Sequence, residues 1–355
     1  MDFSPDEGQQ AVADVVTSAL DRDNSWDALV SGGVIAFGVP ERLGGDGLTL
    51  PEITTALTEI GRHGTVSPAL STLGYGLIPL LALASDEQQD RFLAGVAKGV
   101  EQAGAQRPGE CSVLTAALNE PGSSLPERPL TNLSGGKLSG TKIGVPFAGQ
   151  ADWLIVTTDS GVVVVSAKAD GVTLTKTPTA NGSDEYTVTF ADVAVPESDV
   201  LVGASHPDTV RRINQLVLAA TGAFAAGLVA GALRLTADYV AKREQFGRPL
   251  STFQTVAAQL AEVYIASRTI SLAATSAIWR LSEDRDADDD LGVLGYWLAS
   301  QAPPVMQTCH HLHGGMGMDI TYPMNRYYST IKDLTRLLGG PAHRLELVGA
   351  QCTSN

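Results

Sequence analysis

Eighteen consecutive residues without a charge, Leu216 to Leu233 (LVLAATGAFAAGLVAGAL), constrain this chain more than any other segment. A run of that length sits at the lower bound for a membrane-spanning helix. It is rich in Ala and Gly, and arginines lie close to it at Arg211, Arg212 and Arg234. A helix apolar on all sides is also what the centre of a helical bundle requires. We read it as a buried helix of a protein with no membrane partner.

The rest of the composition agrees. The chain has 355 residues, enough for two or three packed units. Apolar residues make up 44% and charged residues 18%, which excludes an intrinsically disordered chain. Asp plus Glu number 39 against 24 Lys plus Arg, a formal net charge of −15. Phosphate-backbone binding needs clustered positive charge, so nucleic acid and anionic membranes are excluded as partners. Cys111, Cys309 and Cys352 lie far apart with no CxxC, which argues against a disulfide framework or a zinc module and suits a reducing cytosol. The acidic, polar start MDFSPDEGQQ carries no basic or apolar secretory region. The expected location is cytoplasmic.

Three parts follow one another along the chain. Residues 1–112 read as a helical domain. Ser4 caps, Pro5 takes the first helical position and Asp6 and Glu7 supply acids to the first turn. Val12, Val16 and Leu20 mark one helical face. A glycine-rich break over 40–47 precedes a helix over 50–62, and shorter helices are expected over 68–84 and 85–99. Val100 to Glu110 reads as a loop. Residues 113–203 change character: Trp153 to Thr158 and Val162 to Val165 are β-branched runs, and Tyr186, Val188 and Phe190 alternate with threonines. This is a middle antiparallel β domain. Residues 204–355 are helical again, with Phe253, Val256, Leu260, Val263 and Tyr264 at helical spacing. Helices, then strands, then helices make an α+β chain and argue against a doubly wound nucleotide fold. Neither GxGxxG after a strand nor GxxxxGK[ST] occurs.

Four segments invite chemistry. The acidic run Glu283 to Asp290 lacks the central glycine and closing glutamate of a calcium loop, so it reads as a solvated break between helices. Arg243-Glu244-Gln245-Phe246-Gly247-Arg248-Pro249-Leu250, followed by Phe253-Gln254, is either an ordinary interhelical turn or a phosphate clamp, since arginine grips phosphate by two parallel hydrogen bonds. His310, His311 and His313 precede Gly314, Gly315 and Gly317. Residues one and two apart on a helix do not face one way, so this is a helix ending in a glycine turn able to cradle part of a ligand, and no metal site is expected. Leu337-Leu338-Gly339-Gly340-Pro341-Ala342-His343 joins two helices and carries no carboxylate.

In their order and spacing these segments resemble the acyl-CoA dehydrogenase family over essentially the whole chain. The resemblance rests on PERLGGDG at 40–47, Asn119-Glu120-Pro121-Gly122, the segment Ala191 to Pro196, REQFGRPLSTFQ and HLHGGMG. Within that family the chain resembles the shorter partner subunits of actinobacterial heteromeric steroid side-chain dehydrogenases. The resemblance implies the family fold, an N-terminal helical domain, a middle β domain and a C-terminal four-helix bundle. It also implies FAD, an acyl-CoA substrate dehydrogenated between Cα and Cβ, a glutamate that takes the α-proton, and an electron-transfer flavoprotein as electron acceptor. In such enzymes the ADP half of FAD lies against a neighbouring subunit. By resemblance Arg243 pairs with the pyrophosphate, Gln245, Phe246, Leu250, Phe253 and Gln254 line the same groove, and His311, Gly314 and Gly315 sit on the adenosine side.

The flavin-ring half departs from the family pattern. Leu125-Pro126 stands where Ser-Asp is usual, Gly144-Val145-Pro146 replaces the Trp-x-Thr/Ser beside the ring, and the base positions fall at Gly339-Gly340 and Asn214. The chain is therefore expected to contribute no catalytic residue. It would hold the ADP half of the FAD of a second acyl-CoA dehydrogenase chain, one that carries the catalytic glutamate, in an α2β2 heterotetramer. Two other readings stay open: a self-sufficient homo-oligomeric flavoenzyme with a base moved to Asp333 or His343, and a flavin-free assembly subunit. A bulky substrate such as a sterol side-chain CoA ester is implied by the steroid resemblance alone.

Overall fold

The computed structural model describes residues 3–101, 111–201 and 208–354, with the side chains of 97–101 and 352–354 left aside. Most of the expected loop Val100–Glu110 lies outside the described residues, as does the segment at the expected boundary near 203. The chain forms two compact units, one of Ser4–Leu57 with Ser67–Ala220, the other of Thr58–Val66 with Thr221–Asn355 and the first three residues.

The first unit opens with α1 (Glu7–Arg22) and α2 (Trp26–Ser31). The start signal acts two residues later than expected. Asp6, not Ser4, is the cap: its Oδ1 accepts from Gln9 N–H at 2.8 Å while Gln9 Oε1 accepts from Asp6 N–H at 3.1 Å. A reciprocal capping box satisfies two orphan amides, which a lone serine cannot match. After α3 (Leu50–Arg62), the helix expected over 68–84 divides into a π-helix, Leu70–Leu77, and α4 (Ile78–Leu83). Ile78 N–H bonds Leu73 O five residues back, and Pro79 supplies no N–H to restore the α ladder. Helix α5 (Asp86–Glu101) starts at a second capping box between Ser85 and Gln88.

Seven strands follow: β1 (Val113–Ala117), β2 (Asn132–Ser134), β3 (Lys137–Pro146), β4 (Ala151–Thr158), β5 (Gly161–Ser166), β6 (Val172–Thr177) and β7 (Glu185–Ala194). They make a three-stranded sheet in the order β1-β4-β5 and a four-stranded antiparallel sheet in the order β2-β3-β7-β6. One pair departs from the expected antiparallel pattern. Strand β1 runs parallel to β4, with Leu114 opposite Trp153 and Ala117 opposite Val156. Parallel pairing needs a long crossover, and the β2–β3 hairpin of the other sheet lies within that connection. Leu138, Val145, Leu154, Val156, Val188 and Phe190 belong to the core that both sheets share.

The uncharged run lies in the middle of α6 (Asp208–Lys242), 35 residues long, and 89% of its most apolar window is buried. Its glycines explain its composition. In the second unit an ideal Cβ on Gly227 would lie 1.9 Å from Thr58 O, and one on Gly231 2.2 Å from Arg62 O. A close backbone approach of α3 and α6 is thus built on absent side chains. Gly227→Ala must move a backbone, and overpacking of this kind costs about 1–3 kcal/mol or more. A Tm lowered by several degrees in a thermal melt is the expected outcome, and an unchanged Tm would show that the two helices can separate freely.

The second unit also contains α7 (Gln254–Ser282), α8 (Asp288–Leu312), α9 (Met324–Leu337) and α10 (Gly340–Ser354). The acidic break falls between α7 and α8, and Asp288, Asp289 and Asp290 form the first turn of α8, where the helix dipole favours them. Asp290 also pairs with Arg280 at 2.7 Å.

Candidate functional site

Helix α6 ends at Lys242 and the chain turns back at once. Strands β8 (Glu244–Gln245) and β9 (Arg248–Pro249) pair antiparallel, and Leu250 N–H donates to Arg243 O at 2.8 Å to close the loop. Phe246 and Gly247 turn the hairpin with φ of 55° and 77°. Two consecutive left-handed residues suit the twist of a two-residue hairpin; glycine adopts them readily, but phenylalanine does so under strain. Phe246 is also 92% exposed. A strained, solvent-facing aromatic marks a surface shaped for something other than stability.

Arg243, Gln245, Phe246, Arg248 and Gln254 are exposed, and Leu250 and Phe253 are half-buried. The hairpin gathers most of them. The Arg248 guanidinium lies 4.1 Å from the centre of the Phe253 ring, and Phe246 meets Phe253 edge to face at 6.2 Å. Gln245 Nε2 donates to Glu244 O at 2.8 Å. Among the described residues Arg243 has no ion-pair partner. The result is a cationic, aromatic ledge.

The glycine turn forms as expected. Helix α8 ends at Leu312 and a 3₁₀ turn spans Gly314–Met318. Gly314 and Gly315 are exposed, and no atom lies within 4 Å of where a Cβ would stand on either. His311 is exposed beside them. The histidine that organises the turn is His313, which the sequence reasoning did not select. It is buried, its Nδ1–H donates to Cys309 O at 2.8 Å, and its ring stacks on Tyr239 at 4.6 Å and leans on Tyr322 at 5.2 Å. Burial lowers its pKa, and nearby His310 adds to the effect against the opposing Cys309 hydrogen bond. Tyr239 O accepts from Arg243 N–H at 2.8 Å. The His313–Tyr239 stack thus joins the glycine turn to the root of the arginine hairpin. Tyr239 lies one helical turn before Arg243, the spacing that could have revealed it.

In the first unit the segment after β1 is fully committed to structure. Glu120 is buried, and its carboxylate accepts from Leu130 N–H at 2.7 Å, Thr131 N–H at 2.9 Å, Thr131 Oγ1 at 2.7 Å and Lys142 Nζ at 2.8 Å. Lys142 has no exposed side-chain surface. Asn119 Oδ1 accepts from Leu125 N–H at 2.8 Å, and Asn214 Nδ2 donates to Leu125 O at 3.0 Å and to Pro126 O at 3.2 Å. Two amides from opposite sides staple the Leu125-Pro126 turn, where Leu125 is itself left-handed at φ 49°. Gly144 sits at φ 64° in a register shift of β3 between Lys142 and Val145, a backbone that disfavours any larger residue.

At the α9–α10 junction Gly339 and Gly340 both take left-handed φ, 83° and 79°. Asp333, on α9, is buried with a carboxylate oxygen 3.7 Å from Arg336, and His343 is half-buried. No group of three or more metal-ligating side chains is found among the described residues.

Comparison with known proteins places these features in context. The chain matches the model "Acyl-CoA dehydrogenase, N-terminal domain" over residues 2–100 and "Acyl-CoA dehydrogenase, C-terminal domain" over 219–351. It is 69% identical to acyl-CoA dehydrogenase FadE28 of Mycobacterium tuberculosis over 353 residues, covering 99% of both chains. It is 31% identical to acyl-CoA dehydrogenase FadE27 of the same organism, over 96% of this chain and 91% of that one. Among solved structures it resembles a chain of the ChsE4-ChsE5 complex from Mycobacterium tuberculosis, with a TM-score of 0.88, 27% identity and all of both chains covered. It likewise resembles the Tcur3481-Tcur3483 steroid ACAD G363A variant, with a TM-score of 0.83, 29% identity and 98% of both chains covered.

Proposed function

The chain belongs to the acyl-CoA dehydrogenase family, and on that premise we propose that it is the nucleotide-holding, non-catalytic subunit of a heteromeric dehydrogenase. FAD is the cofactor, and its two halves fit this chain unequally. The ADP half suits the exposed ledge. Arg243 would grip the pyrophosphate as a charge-assisted, bidentate donor, Gln245, Phe246, Leu250, Phe253 and Gln254 would line the groove, and His311, Gly314 and Gly315 would face the adenosine. The flavin ring does not suit the chain's own β segment. Gly144 and Pro146 offer neither an aromatic wall nor a hydroxyl.

When bound, FAD supplies the hydride acceptor for α,β-dehydrogenation of an acyl-CoA thioester. This chain's residues bind and orient the nucleotide; proton removal falls to a glutamate of the partner. The observation that carries the reading is the state of Asn214. Its amide donates twice to the Leu125-Pro126 turn, so the residue at a base position acts as a hydrogen-bond donor and cannot accept a proton near neutral pH. The glycines at the other base position supply no side chain.

The partner in this reading is a second acyl-CoA dehydrogenase chain in an α2β2 assembly, and an electron-transfer flavoprotein reoxidises the flavin. The ChsE4-ChsE5 complex and the Tcur3481-Tcur3483 pair support a two-chain arrangement, and the steroid name of the latter supports a sterol side-chain CoA ester, as in cholesterol catabolism, as the substrate class. The free thiols Cys111 and Cys309 suit a cytoplasmic setting. The test is co-expression with the partner chain and measurement of flavin per subunit. The expected result is about one FAD per two chains and an isolated chain that is colourless and inactive. One FAD per chain, or a yellow and active isolated chain, would overturn the reading.

A further inference from the structure

Arg344 lies near the start of α10 and is 6% exposed. Its Nε–H donates to Leu338 O at 2.8 Å, so the side chain doubles back past the N-terminus of its own helix to the last carbonyls of α9. Room for it comes from Gly295 on α8, where a Cβ would stand 3.2 Å from Arg344 Cδ. Nη2 is buried and has no hydrogen-bond partner, and no carboxylate pairs with the guanidinium among the described residues. Burial lowers its pKa to about 10, so it stays charged near neutral pH.

A buried cation without a counter-ion is unusual, because desolvation penalises the charge unless an opposite charge or hydrogen bonds offset it. The negative end of α9 offsets part of that cost through Leu338 O. Nη2 remains unanswered, and Arg344 is the fifth residue of α10, a helix of fifteen residues whose positive end begins at Gly340, two residues after the Leu338 carbonyl that Nε bonds. The direction in which a Cβ would leave Gly340 meets no atom within 4 Å. At the junction where the family resemblance places a carboxylate base, this chain has a guanidinium.

We propose that the α9–α10 junction is an oxyanion site, in which Arg344 Nη2 and the N-terminus of α10 together bind one carboxylate or phosphate group. The site is separate from the arginine hairpin and stands whether or not that hairpin holds FAD. It adds a ligand class to the chain and reverses the charge that a base at this junction would carry.

The test is a thermal melt of the purified full chain, alone or in its complex, titrated with sodium acetate or sodium phosphate against sodium chloride at equal ionic strength. A saturable Tm rise of roughly 3–5 °C is expected with at least one oxyanion. It should be absent in Arg344→Met and retained in part in Arg344→Lys. Phosphate also stabilises proteins by exclusion from their surface, but that effect does not saturate and persists in Arg344→Met. A response to acetate alone assigns the site to carboxylates, and a response to phosphate alone assigns it to phosphate-bearing molecules. No saturable response in the unmutated protein, or the same response in Arg344→Met, would overturn the proposal. Should Arg344→Met fail to fold, the unmutated titration and Arg344→Lys decide the matter. Flavin content of the complex, measured in parallel, reports separately on the hairpin.

Discussion

Arg243→Ala is expected to strip FAD from the heteromeric complex while leaving the fold unchanged. The side chain is exposed and has no ion-pair partner among the described residues, so its loss should alter stability by no more than about 0.5 kcal/mol. A charge-assisted hydrogen bond to phosphate contributes about 1.5–3 kcal/mol, which corresponds to roughly 10- to 150-fold weaker FAD binding. The partner's reactive groups are untouched, so excess FAD should restore activity. Absorbance near the flavin bands after gel filtration gives the ratio, and a melt confirms the fold. Arg248→Ala provides the comparison. Arg248 is already stacked on Phe253, so its removal should weaken FAD binding less. If Arg243→Ala retains full flavin and full activity, the pyrophosphate is held elsewhere.

Lys142→Met should produce the largest loss of stability of any substitution considered. It removes the cation from a pair in which both side chains are buried, and breaking such a pair costs about 3–5 kcal/mol because the remaining charge is stranded. Glu120→Gln combined with Lys142→Met should recover part of the loss, since no charge is then stranded and the single amide oxygen can still accept from Thr131, while the amide NH2 replaces the oxygen that accepted from Leu130. The pH dependence should reverse as well. Burial alone would raise the Glu120 pKa, but hydrogen bonds from Lys142, Leu130 and Thr131 hold it below its ordinary value. In the unmutated protein Glu120 therefore contributes stability above its unfolded pKa, near 4.5, that is lost as pH falls through the folded value. Without Lys142 burial dominates and the folded pKa rises. Glu120 then contributes stability at low pH that is lost as pH rises. Denaturant melts of both variants between pH 4 and pH 7 check the crossing. A single variant with unchanged stability would show that the pair is incidental.

How much of this was legible in the sequence differs from element to element. Helix α6 was plain because apolarity on every side leaves few options for an 18-residue run. The hairpin and the glycine turn were marked by Gly247 and by Gly314 and Gly315, residues that punctuate any chain. The capping box at Asp6 was misplaced by two residues, because Ser4 and Asp6 are both good caps and only the reciprocal bond to Gln9 separates them. The parallel β1–β4 pair was hidden, since alternation reports a strand's faces and not its neighbour's direction. Lys142, paired with a residue 22 positions away, and Arg344, distinguished by a missing partner, carry no local signal at all. His313 was passed over in favour of His311 because two nearby histidines look alike until packing buries one of them.

The bulge at Gly144 has a consequence for engineering of the chain. The extra residue between Lys142 and Val145 offsets the pairing of β3 with β7, so Lys142 faces Val188 while Val145 faces Tyr186. A tryptophan written in at 144 would inherit a left-handed backbone, and deleting the extra residue would swap which side of the sheet every later β3 side chain occupies. Either single change is therefore harmful on its own, and placing an aromatic wall at this point of β3 would require redesign of the whole strand.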